Sequence, residues 1–220
     1  MIRALIFDFD GTIIDTETAW YVAFKEAYRE YEVDLTLEMY SLCIGTSLHA
    51  FNPYEYLITE LGLPIDRERF RASVRERHAE LMRQEKVRPG VLDYLESAKA
   101  YGMKIGLASS SSREWIEDHL GQLGIGGYFD YLSTADDVRR VKPDPELYIR
   151  TLNGLGVLAN EAIAVEDSPN GVRAALAAGM HCVLAPNEIT SLLEFPGVLH
   201  RVGSLGDLEF RRLIAAPLSS

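Results

Sequence analysis

Residues 2–7 form a short block that is apolar apart from Arg3, and it stops abruptly at an Asp-Phe-Asp-Gly-Thr turn. A block this short, rich in Ile, Leu and Phe and closed by a turn, predicts a strand buried on both faces. From residue 87 onward one rhythm repeats: a helix-length segment, a short apolar strand, a polar turn, then another helix. The strands fall at 104–108, 131–134, 162–165, 181–184 and 199–202. Such alternation predicts an α/β fold, a three-layer Rossmann-like core in which a mostly parallel sheet carries helices on both faces.

Residues 16–86 carry a different pattern, helical in period and without a convincing strand. Trp20, Phe24, Tyr28 and Tyr31 recur on one helical face, and Phe70, Val74, His78 and Leu81 on another. Both stripes read as packing inside a helical bundle, with His78 as a core or boundary histidine. The chain therefore divides into an α/β domain, residues 1–15 and 87–220, interrupted by a helical insert over 16–86. Pro89-Gly90 marks the return to the first. Gly121, Gly124, Gly126 and Gly127 follow no strand and do not form a dinucleotide fingerprint.

Composition adds an ordinary globular core, with 47% hydrophobic residues in 220. The formal net charge of -11 argues against a broad nucleic-acid surface, so any phosphate recognition must be local. No apolar run approaches the ~20 residues of a membrane span, and no signal peptide precedes the first strand, which leads to the expectation of a cytoplasmic protein without membrane partners. Cys43 and Cys182, far apart among apolar neighbours, read as buried free thiols.

In open parallel sheets ligands bind beyond the carboxyl ends of the strands. The residues placed there are consistent in kind. The first strand ends on Asp8 and Asp10, the second on Ser109, the fourth on Glu166 and Asp167, and Lys142 opens the segment after the third. Taken singly, each has a plainer reading: Asp10-Gly11 as turn chemistry, Ser168-Pro169 as a helix cap, Ser111 with Glu114 as a capping box, Lys142-Pro143-Asp144 as a loop. Together, four carboxylates against one ammonium leave a strong excess of negative charge, costly where the effective dielectric falls to about 20. Oxygen ligands of this type suit Mg²⁺, and a metal so held leaves Lys142 and the Ser109 hydroxyl to face phosphoryl oxygens.

Asp8-Phe9-Asp10-Gly11-Thr12, the apolar strand ending in Ser109, Lys142-Pro143 and Glu166-Asp167-Ser168 resemble, in that order, the four motifs of the haloacid dehalogenase-like hydrolases. The resemblance covers nearly the whole chain. The insert directly after the first motif, Asp15-Thr16-Glu17 before it and Ser168-Pro169-Asn170-Gly171 after the acids are similar to the subfamily that includes β-phosphoglucomutase and phosphoglycolate phosphatase. This resemblance implies a Mg²⁺-dependent phosphatase. Asp8 would be the nucleophile that becomes an aspartyl-phosphate, and Asp10 the acid/base. Asp8, the main-chain oxygen of Asp10 and Asp167 would hold the metal, with Glu166 direct or through water, and Ser109 and Lys142 would bind phosphate.

The same resemblance makes the insert a cap that selects the substrate, a small phosphorylated metabolite such as a sugar phosphate or phosphoglycolate. Here the chain departs from β-phosphoglucomutase. Trp20 stands in the register of that family's cap histidine, and the loop containing Gly45 and His49 lacks an arginine to hold a second phosphate. These departures favour hydrolysis over the alternative, a β-phosphoglucomutase-like mutase. A non-catalytic regulatory module is a third reading, against which the presence of Asp10 speaks.

Overall fold

The structure, a computed structural model, describes residues 1–43 and 51–215. Along the chain run β1 (Ala4–Phe7), α1 (Thr16–Arg29), α2 (Leu37–Ser41), α3 (Tyr56–Thr59), α4 (Arg67–Met82), α5 (Val91–Ala100), β2 (Lys104–Ala108) and α6 (Arg113–Leu123). There follow β3 (Tyr131–Ser133), α7 (Glu146–Leu155), β4 (Ala162–Glu166), α8 (Pro169–Ala177), β5 (His181–Leu184), β6 (His200–Arg201) and α9 (Phe210–Ala215). Two compact units result. One comprises Met1–Ile14, Lys86–Asn187 and the chain from Glu194 on, and the other Asp15–Glu85 with Glu188–Leu193.

The first unit is built on a six-stranded sheet of order β3-β2-β1-β4-β5-β6, parallel throughout. β1 lies inside it, flanked by β2 and β4, with Phe7 level with Leu107 and Val165. From β1 the chain runs outward through β2 to β3 and then crosses to β4 on the other side of β1, which puts the sheet's switch point between β1 and β4. All four β1 residues are fully buried, and loss of Phe7 alone would forfeit about 2–3 kcal/mol of apolar burial. Ala4 and Ile6 pack on one face against Leu147 and Tyr148 of α7 and Val172 and Ala175 of α8. The pattern had extended this strand back to residue 2, the third to Thr134 and the last over 199–202. In the structure all three are shorter, whereas β4 gains Glu166.

The second unit is helical. Asp15 caps α1 by accepting from the Thr18 amide at 3.0 Å, and Asp66 caps α4 by accepting from Arg69 at 2.8 Å. Phe24 and Tyr28 of α1 meet Phe70 and Val74 of α4 in its core. Tyr31 falls past the end of α1 and is 37% exposed, and Met82 rather than Leu81 closes the α4 stripe. Ile189, in sequence part of the α/β segment, is buried in this helical core, a return that no periodicity announces. Cys182 is buried and Cys43 half-buried, both free. No helix among the described residues is long and apolar enough to cross a membrane.

Candidate active site

Beyond Phe7 the chain still pairs with β4, the Asp8 amide donating to the Val165 carbonyl at 2.9 Å. It then folds into a tight turn in which the Phe9 carbonyl accepts from the amides of Thr12, Ile13 and Ile14. Gly11 has φ +83°, and a Cβ there would lie 2.1 Å from Asp167 Oδ2, so only glycine fits. Arg88 fastens this turn to the strand-end segment after β5. Its guanidinium donates to the carbonyls of Gly11, Ala185 and Pro186, and its amide to that of Ile13.

The first cluster at this rim centres on Lys142, whose side chain is 5% exposed. Its Nζ lies 2.5 Å from Asp8 Oδ1 and 2.7 Å from Glu166 Oε1. The Tyr148 hydroxyl donates to the same Glu166 oxygen at 2.6 Å. Glu166 Oε2 accepts from the Asp167 amide and from the amide and hydroxyl of Ser168, the N-cap of α8. Glu166 is therefore buried with both oxygens engaged, chiefly as the counter-ion of Lys142. Burial pushes the Asp8 carboxyl up to about 7, with the Glu166 charge adding to the rise and Lys142 opposing it. Burial disfavours the Lys142 charge, but the Asp8 and Glu166 carboxylates overcome this and hold the ammonium above its ordinary pKa. Burial, then the Glu166 and Asp8 charges, push the Tyr148 phenol well above its usual range.

Asp167 completes an acidic group. Among the described residues Asp8, Glu166 and Asp167 each offer a carboxylate oxygen within 4.8 Å of one another. Thr12 Oγ1 and Asn187 Nδ2 reach Asp167 only at 3.4 Å, and Asp167 is 1% exposed. All-oxygen donors, buried and with one nearby ammonium, fit a hard divalent cation.

Asp10 is held differently. Its Oδ2 accepts from Ser111 Oγ at 2.7 Å and Ser109 Oγ at 3.3 Å, and its Oδ1 from Trp115 Nε1 at 3.0 Å. Ser109 itself is fully buried, its amide bonded to the Ser133 carbonyl at the end of β3. The capping-box expectation for Ser111 is corrected here. Ser112 caps α6, accepting from the Trp115 amide, and this leaves the Ser111 hydroxyl free to turn to Asp10.

The sheet thus brings Asp8, Asp10, Ser109, Lys142, Glu166 and Asp167 to one rim. Sequence reasoning missed Thr12, Ser111, Trp115, Tyr148, Asn187 and Arg88. Tyr148 sits on the apolar stripe of α7 and reads as core, and only the spacing of Ser111 from Ser109 across a strand-end turn offered a signal. Of the residues expected to choose the substrate, Trp20 belongs to α1 and its indole stacks on His78, ring centres 3.7 Å apart and 9° from parallel. Gly45 and His49 lie outside the described residues.

A parallel sheet with an acid-rich rim at its switch point places the site where open α/β folds bind ligands, and the comparisons narrow the class. The chain matches the haloacid dehalogenase-like hydrolase family over residues 5–185. It is 46% identical over 214 residues to a protein of Bacillus subtilis named "Putative phosphatase YhcW", covering 97% of each chain. It is 31% identical over 182 residues to the "Phosphorylated carbohydrates phosphatase" of Thermotoga maritima, covering 81% of this chain and 82% of that one. The solved structure of CbbY from Rhodobacter sphaeroides in complex with phosphate superposes with a TM-score of 0.67 at 28% identity, over 94% of this chain and 96% of that one. The protein belongs to the haloacid dehalogenase-like hydrolases, and its fold and family make it an enzyme of the phosphatase kind.

Proposed function

We propose that this enzyme hydrolyses a small phosphomonoester, a phosphorylated carbohydrate or a metabolite of similar size, through an aspartyl-phosphate on Asp8 with Mg²⁺ bound at the rim. The observation that carries the reading is Lys142 bridging Asp8 and Glu166 beside Asp167, at the end of the inner strand β1. An Asp8 oxygen forms a bond to phosphorus as the ester P–O bond breaks, and Asp10 gives its proton to the departing oxygen. A water then attacks phosphorus, its proton passes to Asp10, and inorganic phosphate leaves with Asp8 restored. Lys142 and Ser109 hold the phosphoryl oxygens through both steps, so the chain contributes mainly position and charge.

Asp8 and Asp167, with the main-chain oxygen of Asp10, would hold Mg²⁺. Glu166, already engaged by Lys142, Tyr148 and Ser168, would contact it directly or through water. The bound ion supplies charge neutralisation that lets an anionic ester approach the acidic rim. We assign substrate selection to the helical unit, with Trp20 and the loop of Gly45 and His49 as its candidate determinants. The name of one relative, a phosphorylated carbohydrates phosphatase, supports a small phosphate ester as the substrate.

A screen of sugar phosphates, phosphoglycolate and nucleoside monophosphates for phosphate release, with Mg²⁺ and with EDTA, tests the proposal. Metal-dependent release from at least one sugar phosphate or phosphoglycolate is expected. Release that survives thorough chelation would remove the metal role, and a chain inactive on every ester would remove the phosphatase reading.

A further inference from the structure

The geometry points to Trp115 as a positioning residue for Asp10: its indole N–H fixes the carboxylate that transfers the proton. This rests on the acid/base assignment of Asp10 made above. Trp115 belongs to none of the motifs that define the family resemblance, yet it stands in the first turn of α6 with Nε1 3.0 Å from Asp10 Oδ1. Ser111 holds the other oxygen at 2.7 Å. With Ser111 and Ser109 on Oδ2 and Trp115 on Oδ1, both the rotamer and the plane of the carboxylate are set, which donors on one oxygen do not achieve alone.

The indole is itself fixed from behind. His119, one turn further along α6 and 8% exposed, donates from Nδ1 to the Trp115 carbonyl at 2.8 Å. Its ring lies against the indole, centroids 4.0 Å apart. Phe9, the neighbour of Asp10 in the turn, meets the His119 ring edge-on at 6.2 Å. Phe9, His119 and Trp115 thus form a buttress that begins and ends on the segment carrying Asp10. A rigid ring placed this way holds the proton-transferring group close to its working geometry, where small displacements cost rate steeply.

The test uses Trp115→Phe, which keeps a ring for His119 and removes the N–H. Proton donation matters for an alkoxide leaving group and hardly for nitrophenolate, which departs unprotonated. The value of kcat/KM, which reports the steps through first bond cleavage, should fall about tenfold for an alkyl phosphate and less than about twofold for p-nitrophenyl phosphate. Equal falls for the two esters, or none, overturn the assignment, because a role in packing alone does not distinguish leaving groups. Trp20 and Trp115 are the two tryptophans, so Trp20→Phe leaves Trp115 as the only tryptophan, excited apart from the tyrosines at the red edge of the absorption band. In that background Asp10→Asn must shift Trp115 emission, a readout that stands even where Trp115→Phe does not fold, and unchanged emission overturns the contact. The alkyl phosphate is one that the ester screen finds the wild-type enzyme to hydrolyse; if none of the screened esters releases phosphate, the phosphatase reading itself fails and takes this inference with it, whereas activity with equal falls rejects Trp115 alone.

Discussion

The Lys142 ammonium lies between the Asp8 and Glu166 carboxylates, so Asp8 is both buried and electrostatically restrained. Replacing Asp8 by Asn keeps the shape and removes the nucleophile. The variant should fold, by circular dichroism, and lose at least about 10³-fold in kcat, since the amide cannot form the covalent bond that the carboxylate forms. Near-normal turnover in folded Asp8→Asn would end the aspartyl-phosphate mechanism. A pH effect belongs to the same residue. With its carboxyl raised to about 7 by burial, Asp8 keeps a proton below that pH that a metal must displace. The Mg²⁺ concentration for half-maximal activity should therefore rise by up to about tenfold for each unit below neutrality, and flatten above it. In the metal-free protein the same shift has the opposite bearing on stability. The Asp8 contribution is fully present below the ordinary carboxylate range and is lost as pH rises through about 7. Magnesium titrations of activity near pH 6 and pH 8 separate these cases, and equal requirements at both would contradict the burial-driven shift.

Between β4 and α8 the chain turns so tightly that helix and carboxylate compete for one space. Ser168 caps α8 and Pro169 opens it, as their types predict. Gly171, inside the first turn, looks wasteful there, because alanine in a helix interior is favoured by about 1 kcal/mol. A Cβ at Gly171, however, would stand 1.9 Å from Glu166 Oε1, the oxygen shared by Lys142 and Tyr148. Gly171→Ala should therefore destabilise the protein, by about 1–3 kcal/mol as in other overpacked sites, despite its better helix propensity. It should also lower kcat as Glu166 and Lys142 shift. Urea unfolding and steady-state kinetics on the one variant check both, and a stabilised, fully active protein would show that Glu166 has room to move.

For the whole molecule the open choice is between releasing phosphate and moving it to another hydroxyl. A mutase must shield its aspartyl-phosphate from water and hold a second phosphate while the intermediate turns. In the helical unit Trp20 is stacked on His78 and presents an aromatic surface, with no charge of its own for a second phosphate. Incubation with β-glucose 1-phosphate and a trace of the 1,6-bisphosphate, with glucose 6-phosphate and free phosphate measured in parallel, should give more phosphate than isomer. Rapid glucose 6-phosphate formation with little phosphate release would make the chain a mutase.

Alternating apolar blocks and helix-length segments foretell the parallel α/β sheet, the helical stretch near the start and the polar residues that follow the strands. Each of these follows from local period and from the rule that strand ends meet ligands. The sequence could not assign partners, because residues distant in the chain meet only when the sheet forms. Tyr148 looks like one more apolar position of α7 until folding brings its hydroxyl to Glu166. Ser111 looks like a cap until Ser112 takes that place, and nothing local marks Trp115 as a partner of Asp10 until α6 docks and aims its N–H there. The joining of Ile189 to the helical core is likewise a contact of the folded chain alone. Local sequence sets which groups can react, and the three-dimensional packing sets which of them are held, neutralised or oriented, because these depend on angstrom distances between residues such as Thr12 and Asp167, 155 positions apart.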